Sequence, residues 1–180
     1  INDCDANTGG HTVLSNVAIS GYMGSEPEPE QGSNYDLNSV TWTTFDSDQD
    51  YAGPEVVSSD GTTVTLEGNS WRGFELPTPV TVEADTVLSF DFSSTDLCEI
   101  HGFALGPVGD DPTSPDVHVS WTNVYLCGSQ DVCGSAHWAC VSDDLYCDET
   151  GTTFSYSILL ADYYELGAEY GYFEIGRAHV

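Results

Sequence analysis

The sequence predicts an all-β fold, a β-sandwich of jelly-roll type, from three observations. Helix signals are nearly absent from the 180 residues. Short segments in which apolar and polar residues alternate with a period of two recur along the chain. Clusters of Gly, Pro, Asp and Ser, which favour turns, separate these segments. About nine short strands in a chain of this length are typical of two packed sheets.

The predicted strands are short and follow one another from residue 13 to residue 173. The dipeptide Asp60-Gly61 is typical of a tight hairpin turn, and it lies between Val56-Val57 and the strand that starts at Thr62. The predicted strands are 13–19, 62–66, 80–82, 86–92, 100–105, 117–121, 124–126, 153–159 and 170–173.

A segment rich in Glu and Pro separates the first predicted strand from the others. Between Gly24 and Ser33 the sequence alternates Glu with Pro, which cannot pair in a sheet and favours an extended, semi-rigid chain. We therefore predict a linker over 21–40 and a β-sandwich domain over 41–174. Residues 1–20, on the far side of the linker, are expected to pack onto something other than that domain.

The charge of the chain excludes several classes of partner. Asp and Glu total 30 against two basic residues, and the net charge is −28. Nucleic acids and anionic membranes are excluded as partners, because nothing would neutralise their phosphates. Such a charge repels itself unless cations screen or bind it. The sequence also lacks a run of roughly 20 apolar residues, as a membrane-spanning helix requires.

The cysteines indicate an oxidising compartment, and we predict an extracellular or cell-surface location. The chain contains six, and the last four fall within a short stretch at separations of six or seven residues. This is not the spacing of a CxxC zinc site, so we favour disulfides over metal thiolates. Spacing leaves all three pairings of these four open. The six are Cys4, Cys98, Cys127, Cys133, Cys140 and Cys147.

Several motifs, taken in order, resemble a β-sandwich module attached to secreted polysaccharide-degrading enzymes and other exported bacterial proteins. The resemblance covers roughly 42–174 and implies a fold like that of a carbohydrate-binding module. The residues that carry it are Asp48-Gln49-Asp50, Gly68-Asn69-Ser70-Trp71-Arg72, 86–92, Glu99-Ile100-His101-Gly102, 126–130, Tyr156-Ser157-Ile158 and Tyr163-Tyr164.

The closing strands of that module resemble the beginning of this chain. Ile1-Asn2-Asp3-Cys4-Asp5-Ala6 and the segment 14–19 match the module's last strands. The two ends also join into one alternating strand at the isoleucine shared by positions 1 and 175. The resemblance therefore implies that residues 1–20 complete a neighbouring copy of the fold. Head-to-tail copies of this kind would build an extracellular filament, or fibril, or a long surface adhesin, either from subunits or as a tandem repeat.

Two cysteines depart from the module's pattern. Cys98 replaces a glycine, and Cys4 replaces the middle acid of an acidic triplet. The resemblance implies a Cys4–Cys98 disulfide across the junction between copies. The alternative is that each pairs elsewhere or stays free.

The last six residues, Ile175-Gly176-Arg177-Ala178-His179-Val180, resemble a translated sequencing adapter. We expect a non-native tail over 175–180, because a processing scar should be set aside before a fold is inferred. The alternative is a genuine basic tail.

Six acidic residues are predicted calcium ligands. Hard cations take several oxygens from carboxylates and carbonyls, and turns with Asp at alternate positions can supply them. Solvated acidic turns are the alternative interpretation, and the chain has no EF-hand loop. The predicted ligands are Asp3, Asp5, Asp48, Asp50, Asp91 and Glu99.

Three aromatic residues are candidates for stacking on sugar rings: Trp138, Tyr163 and Tyr164. They support an alternative function, a carbohydrate-binding module of a secreted enzyme. For Trp138, packing against the disulfides is an equal alternative. No nucleophile elbow, phosphate loop or HExxH motif occurs, so we expect no enzyme. A pair of catalytic carboxylates stays a third alternative, since any chain with 30 acids offers pairs.

Overall fold

The computed structural model describes residues 10–21, 34–44, 55–96, 100–110, 121–130, 132–135, 137–147 and 149–178. These residues form eleven β-strands and two short 3-10 helices. The strands are β1 (His11–Ser20), β2 (Trp42–Thr44), β3 (Val56–Val57), β4 (Thr63–Glu67), β5 (Ser70–Thr81), β6 (Val87–Ser94), β7 (Ile100–Pro107), β8 (Asn123–Cys127), β9 (Trp138–Cys140), β10 (Thr153–Leu159) and β11 (Glu169–Ala178). The 3-10 helices are Asp143–Leu145 and Leu160–Asp162.

Two sheets pack against each other, which confirms the predicted all-β sandwich. One sheet has five strands in the order β10-β6-β1-β4-β3, and the other has six in the order β2-β5-β11-β7-β8-β9. Neighbouring strands pair antiparallel, apart from the parallel pair β8 and β9. No helix among the described residues is long and apolar enough to cross a membrane.

The core lies between the sheets and follows from the period of two in the strands. In β6, Leu88, Phe90 and Phe92 are buried while the residues between them are half-buried on the outer face. The ring of Phe90 meets that of Phe103 from the other sheet at 5.9 Å between centroids, edge to face. Each large apolar side chain buried in this way stabilises the fold by about 1.5–3 kcal/mol.

Most predicted strands are present with shifted ends. The predicted strand 80–82 is wrong as a separate element, because it is the last part of the twelve-residue β5. The predicted strand 117–121 lies outside the described residues except for Trp121, which lies in a bend. The hairpin between β3 and β4 is confirmed, but its connection is the longer segment 58–62 rather than a two-residue turn. Gly61 within this segment adopts a positive φ of 70°.

The end of the predicted linker belongs to the fold. The side chain of Leu37 is only 1 % exposed and packs in the core. The backbone N–H of Leu37 donates to the Gly61 carbonyl at 2.8 Å, and that of Tyr35 donates to the Val17 carbonyl at 2.7 Å. Residues 22–33, which contain the Glu-Pro repeat, lie outside the described residues.

The adapter-like segment begins within a strand. Ile175 is fully buried and lies opposite Arg72 of β5 and Phe103 of β7. The backbone pairing of β11 continues to Ala178. The non-native origin of residues 175–180 stays a prediction.

Candidate functional site

The first described strand, β1, lies in the middle of a sheet of its own chain, not apart from the sandwich domain as the sequence led us to expect. Its donation to a neighbouring copy stays a prediction. β1 pairs with β4 from His11 opposite Glu67 to Ser15 opposite Thr63. On its other side it pairs with β6 from Thr12 opposite Ser94 to Ser20 opposite Val87. Without β1, the facing edges of β4 and β6 would both present unpaired N–H and C=O groups.

The inward face of β1 fills this groove with apolar side chains. Leu14 is fully buried and Val17 is 1 % exposed. Thr12 is buried as well, and its hydroxyl lies 3.3 Å from that of Ser94, so the polar atom has a partner. Burial of this face is the main apolar contribution of β1 to the fold.

A β-bulge interrupts β1 at its centre. The four residues of β1 from Ser15 to Ala18 face three residues of β6, since Ser15 lies opposite Asp91 and Ala18 opposite Ser89. The extra residue allows Asn16 to adopt a left-handed backbone, with φ of 56°. Asn adopts this conformation more readily than most residues. The bulge brings Val17 inward immediately after the exposed Asn16.

The side chain of Asn16 is hydrogen-bonded on both sides. Its Nδ2 donates to Asp91 Oδ2 at 2.7 Å, and its Oδ1 accepts from Asn34 Nδ2 at 3.3 Å. The other carboxylate oxygen of Asp91 accepts from Ser155 Oγ at 2.6 Å. The backbone N–H of Asn16 donates to the Thr62 carbonyl at 3.0 Å. This polar cluster therefore links β1 to β6, to β10, to the start of β4 and to the segment that follows the linker.

The N-terminal end of β1 is also fixed by hydrogen bonds. The N–H of His11 donates to Thr95 Oγ1 at 2.9 Å, and the N–H of Thr95 donates to the His11 carbonyl at 3.0 Å. The Gly68 N–H donates to the Gly10 carbonyl at 3.1 Å. β1 thus occupies its groove over its full length, and residues 10–21 carry no Asp, Glu, Lys or Arg.

Of the predicted calcium ligands, only one lies within the described residues. Asp91 is on the outer face of β6, where both of its oxygens accept the hydrogen bonds given above. Asp3, Asp5, Asp48, Asp50 and Glu99 lie outside the described residues. Within the described part of the chain, no group of three or more His, Cys, Asp or Glu side chains could hold a metal ion. Calcium binding stays a prediction.

The four clustered cysteines form two disulfides. Cys127 pairs with Cys147, with 5.2 Å between Cα atoms, and Cys133 pairs with Cys140, with 5.5 Å. Of the three possible pairings of these four cysteines, the structure has the nested one, in which the shorter disulfide loop lies within the longer. Disulfides of this kind are compatible with an oxidising environment. Cys4 and Cys98 lie outside the described residues, so their predicted disulfide stays a prediction.

The three predicted sugar-stacking residues do not form one platform. Trp138 is half-buried on the edge strand β9 and meets Trp71 and Tyr125 edge to face, at 6.1 and 6.3 Å between centroids. Tyr164 is only 6 % exposed; its hydroxyl donates to the Thr122 carbonyl and accepts from the Leu105 N–H.

Burial raises the pKa of the Tyr164 phenol, and the rings of Tyr164 and Tyr170 lie 5.1 Å apart. Tyr163 is half-buried, and desolvation and then the charge of Asp162 raise its pKa. Trp138 packs in a different apolar cluster from Tyr163 and Tyr164. A buried Tyr164 does not offer a ring face to a sugar, which leaves Trp138 and Tyr163 as separate partly exposed rings.

Sequence reasoning missed the role of Asn16 and assigned Asp91 to calcium. One signal was present: Ser15 and Asn16 are two consecutive polar residues, which interrupts the period of two within the strand. A break of this kind indicates a bulge, and Asn is a residue that tolerates the left-handed conformation there. The partners Asn34 and Ser155 had no signal, because only the tertiary pairing brings them near. Comparison of the chain with protein-family models, curated proteins and solved structures gave no match.

Proposed function

We propose that the protein is a structural unit of an extracellular filament or long surface adhesin, assembled head to tail by strand complementation. In the assembled form, β1 of one unit occupies the groove between β4 and β6 of the preceding unit. The observation that carries the proposal is that the first described strand lies at the centre of a sheet, beyond a Glu/Pro-rich segment.

A central strand that can be exchanged suits a polymer. The groove offers two backbone edges and an apolar floor, so a donated strand gains both ladders and the burial of Leu14 and Val17. Each unit has one such strand and one such groove. The contact is therefore head-to-tail, and a head-to-tail contact generates an open filament when its rotation does not close into a ring.

The connection between β1 and the domain supports the exchange. Residues 22–33 separate Gly21 from Asn34. In the polyproline conformation that Glu-Pro repeats favour, about 12 residues at ~3.1 Å each would span about 37 Å. A segment of that reach is long enough to carry β1 out of its own domain.

The charge distribution also favours donation of this strand. The chain carries a net charge of −28, yet residues 10–21 contain no acidic side chain. Insertion of β1 into another copy therefore adds no carboxylate to an acidic acceptor. Calcium bound by the acidic turns would lower the repulsion between units further.

The size of the native protein and a cysteine crosslink test the proposal. Val13 of β1 lies directly opposite Ser93 of β6, on the outer face. A Val13→Cys chain and a Ser93→Cys chain are refolded together under oxidising conditions. We expect a disulfide between chains, identified by peptide mapping under non-reducing conditions, and filaments by electron microscopy. As the matched control, Ser89→Cys replaces Ser93→Cys and should not crosslink, because Ser89 lies opposite Ala18.

The opposite results would overturn the proposal. If the wild-type chain has the mass of one copy in native solution, and a Val13→Cys/Ser93→Cys chain forms only an intrachain bond, β1 belongs to its own sheet. The mass of the native protein, denatured and fully reduced, separates two forms of the proposal. A mass many times that of one chain indicates covalent tandem repeats, and a mass of one chain indicates separate subunits.

A carbohydrate-binding module is the second candidate function, favoured by the partly exposed Trp138 on an edge strand. It predicts that the wild-type chain is retained by an insoluble polysaccharide and that Trp138→Ala abolishes retention. Tyr163→Ala serves as a second variant, because Tyr163 packs in a different cluster. Equal retention of wild type and both variants would exclude Trp138 and Tyr163 as the binding site.

A further inference from the structure

We propose that Asn16 and Asp91 form a polar lock that sets the register of β1 and selects the copy whose groove accepts it. This inference rests on the proposed function, because it assigns to the groove a specific recognition of a second copy's strand. The lock consists of Asn16 on the donated strand and of Asp91, Ser155, Thr62 and Asn34 around the acceptor groove.

Apolar pattern alone defines the register of β1 only weakly. A slip by one residue would turn the inward face outward, so it is excluded. A slip by two residues keeps the alternation and would place Thr12, itself a buried residue, in the site of Leu14. The strand also has no charged side chain that could distinguish the two registers. Something other than hydrophobicity must therefore fix the register.

The contacts of Asn16 supply that discrimination. Nδ2 donates to Asp91 Oδ2 at 2.7 Å, and an amide donor bound to a charged carboxylate makes one of the stronger hydrogen bonds in proteins. The bulge, with its φ of 56°, admits few residues other than Asn, Asp or Gly at this point. A strand displaced by two residues would place Leu14 or Ala18 in the left-handed position whose side chain meets Asp91. Neither side chain can donate to a carboxylate.

The acceptor is preorganised for this donor. Asp91 Oδ1 accepts from Ser155 Oγ at 2.6 Å, which orients the carboxylate from the β10 side. Asn34 Nδ2 and the Thr62 carbonyl provide one donor and one acceptor for the other polar atoms of Asn16. Thr62, Asp91 and Ser155 all belong to the predicted sandwich domain, and Asn34 lies beside it in the segment that packs against the groove. The acceptor unit therefore presents a complete polar site to the incoming strand.

The polarity of the lock can be reversed. Asn16→Asp keeps a residue that tolerates the left-handed backbone but sets two carboxylates against each other, which is destabilising. Asp91→Asn keeps the acceptor for Ser155 and provides an amide that can donate to Asn16 Oδ1, which has two lone pairs. When a strand with Asn16→Asp enters a groove with Asp91→Asn, a charge-assisted hydrogen bond is restored with donor and acceptor exchanged.

Mixing the two single variants tests recognition between copies. We expect Asn16→Asp alone to lose about tenfold or more of its sedimentable filament, the factor for about 1.4 kcal/mol per contact. We expect Asp91→Asn alone to assemble. Co-refolded in equal amounts, the two should form filaments that contain both chains, because the strand of each variant fits the groove of the other. Isotope-labelled chains and mass spectrometry of the pellet measure the ratio.

Ser20→Asp is the matched control for the added charge. It places the same carboxylate on β1 opposite Val87 rather than Asp91. We expect it to assemble better than Asn16→Asp, and we expect no gain when it is mixed with Asp91→Asn. Equal losses for both variants would mean that any charge on β1 blocks assembly, and the lock would be overturned.

The double variant Asn16→Asp/Asp91→Asn guards against a simple failure to fold. It should fold and assemble with itself, whereas its strand should be refused by the wild-type groove. Added to wild-type chains, Asn16→Asp should shorten filaments, since its groove accepts a strand while its own strand is not accepted. A third result is that the double variant assembles while the mixture of the two single variants does not. That result would place the Asn16–Asp91 contact within one chain and overturn recognition between copies.

Two outcomes separate failure of the lock from failure of the proposed function. If Asn16→Asp forms filaments as the wild type does, the lock is wrong while the filament stands. If the wild-type chain forms no filaments under any of these conditions, the proposed function is wrong, and the lock falls with it.

Discussion

The first and last described strands, β1 and β11, both lie inside their sheets, but they are connected in different ways. β11 pairs with β5 on one side and β7 on the other. It follows β10 through the 3-10 helix Leu160–Asp162 and a turn held by hydrogen bonds between Gly167, Ala168 and Val82. β1 has a comparable place in its sheet but is followed by the Glu/Pro-rich residues 22–33. A central position in a sheet does not by itself make a strand exchangeable. A long connection to the rest of the domain, such as the one that follows β1, can do so.

The charges of the two strands also make β11 harder to exchange than β1. β11 carries Glu169 and Glu174, and Glu174 is only 1 % exposed. A buried carboxylate is costly to desolvate unless it is paired and hydrogen-bonded in one arrangement. Moving β11 between copies would require that arrangement to be rebuilt each time. β1 buries Leu14, Val17 and Thr12, whose transfer between identical grooves changes little.

The largest expected effect is on the fixed strand. Phe173 of β11 is fully buried between the sheets, and its ring lies 5.5 Å from that of Phe74 between centroids. Phe173→Ala should lower the free energy of unfolding by about 3–5 kcal/mol, the range for a large aromatic side chain removed from a core. Chemical denaturation under oxidising conditions measures it.

The exposed Glu169 on the same strand provides the control for this prediction. Glu169→Ala should change stability by less than about 0.5 kcal/mol. If β11 stays within its own chain, the loss in Phe173→Ala does not change with protein concentration. A loss that did depend on concentration would mean that β11, too, is shared between copies.

Leu14→Ala in β1 should show the contrasting behaviour. The side chain is fully buried, and its removal should cost about 2–5 kcal/mol. If β1 is donated, this cost appears in assembly, so the unfolding midpoint depends on protein concentration. Denaturation curves over a wide range of concentration measure this. The half-buried outward residue Val13 gives the control, Val13→Ala. If the unfolding midpoint of the wild type and that of Leu14→Ala each stay constant as the protein concentration changes, β1 is not donated.

The strands that alternate over several residues could be predicted from the sequence. Very short strands, and the order of the strands in each sheet, could not. β6 and β10 are long enough for their period of two to be recognised, and Thr153–Leu159 has the predicted ends. β2 and β9 have three residues each, too few to show a period. The position of β1 between β4 and β6 depends on long-range pairing, which no local pattern contains.

The candidate site was predicted only in its composition. Asp91 was predicted as a calcium ligand, which stays a prediction; in the described structure its carboxylate accepts hydrogen bonds from Asn16 and Ser155. Tyr164 was predicted at a surface because buried and sugar-binding tyrosines have the same local sequence. Its burial depends on the packing of Leu105 and Tyr170 around it.

Removing the disulfides should affect the side of the molecule that does not contain β1. Cys127–Cys147 closes a loop with a sequence separation of 20, and Cys133–Cys140 one of 7. Loop entropy gives a loss of about 3 kcal/mol for the Cys127→Ser/Cys147→Ser variant and about 2 kcal/mol for Cys133→Ser/Cys140→Ser. Hydrogen exchange should increase at β8 and β9 first. Equal or greater exchange at β1 would mean that the two sheets lose their structure together.

The smallest expected effect concerns tyrosine titration, which should involve β10, β11 and the segment between them, whereas β1 contains no tyrosine. Burial raises the pKa of Tyr156 in β10, and burial followed by the charge of Glu174 raises that of Tyr172 in β11. A phenol whose pKa is raised in the folded state contributes stability that is complete below its unfolded value of about 10. That stability is lost as the pH rises above this value, because the unfolded chain releases the proton first.

The Tyr156→Phe variant tests this titration at a single site. Among the described residues the buried Tyr156 hydroxyl has no hydrogen-bond partner, so Tyr156→Phe should be neutral or slightly stabilising at about pH 7. Between about pH 10 and 12 its stability should fall less steeply than that of the wild type. Tyr164→Phe is the contrast, because it loses the bonds to Leu105 and Thr122 and should be destabilised at both pH values. Denaturation at about pH 7 and 11, with phenolate absorbance, measures both variants. A Tyr156→Phe curve parallel to the wild type would mean that this phenol ionises equally in the folded and unfolded states, and that the alkaline loss arises at other tyrosines.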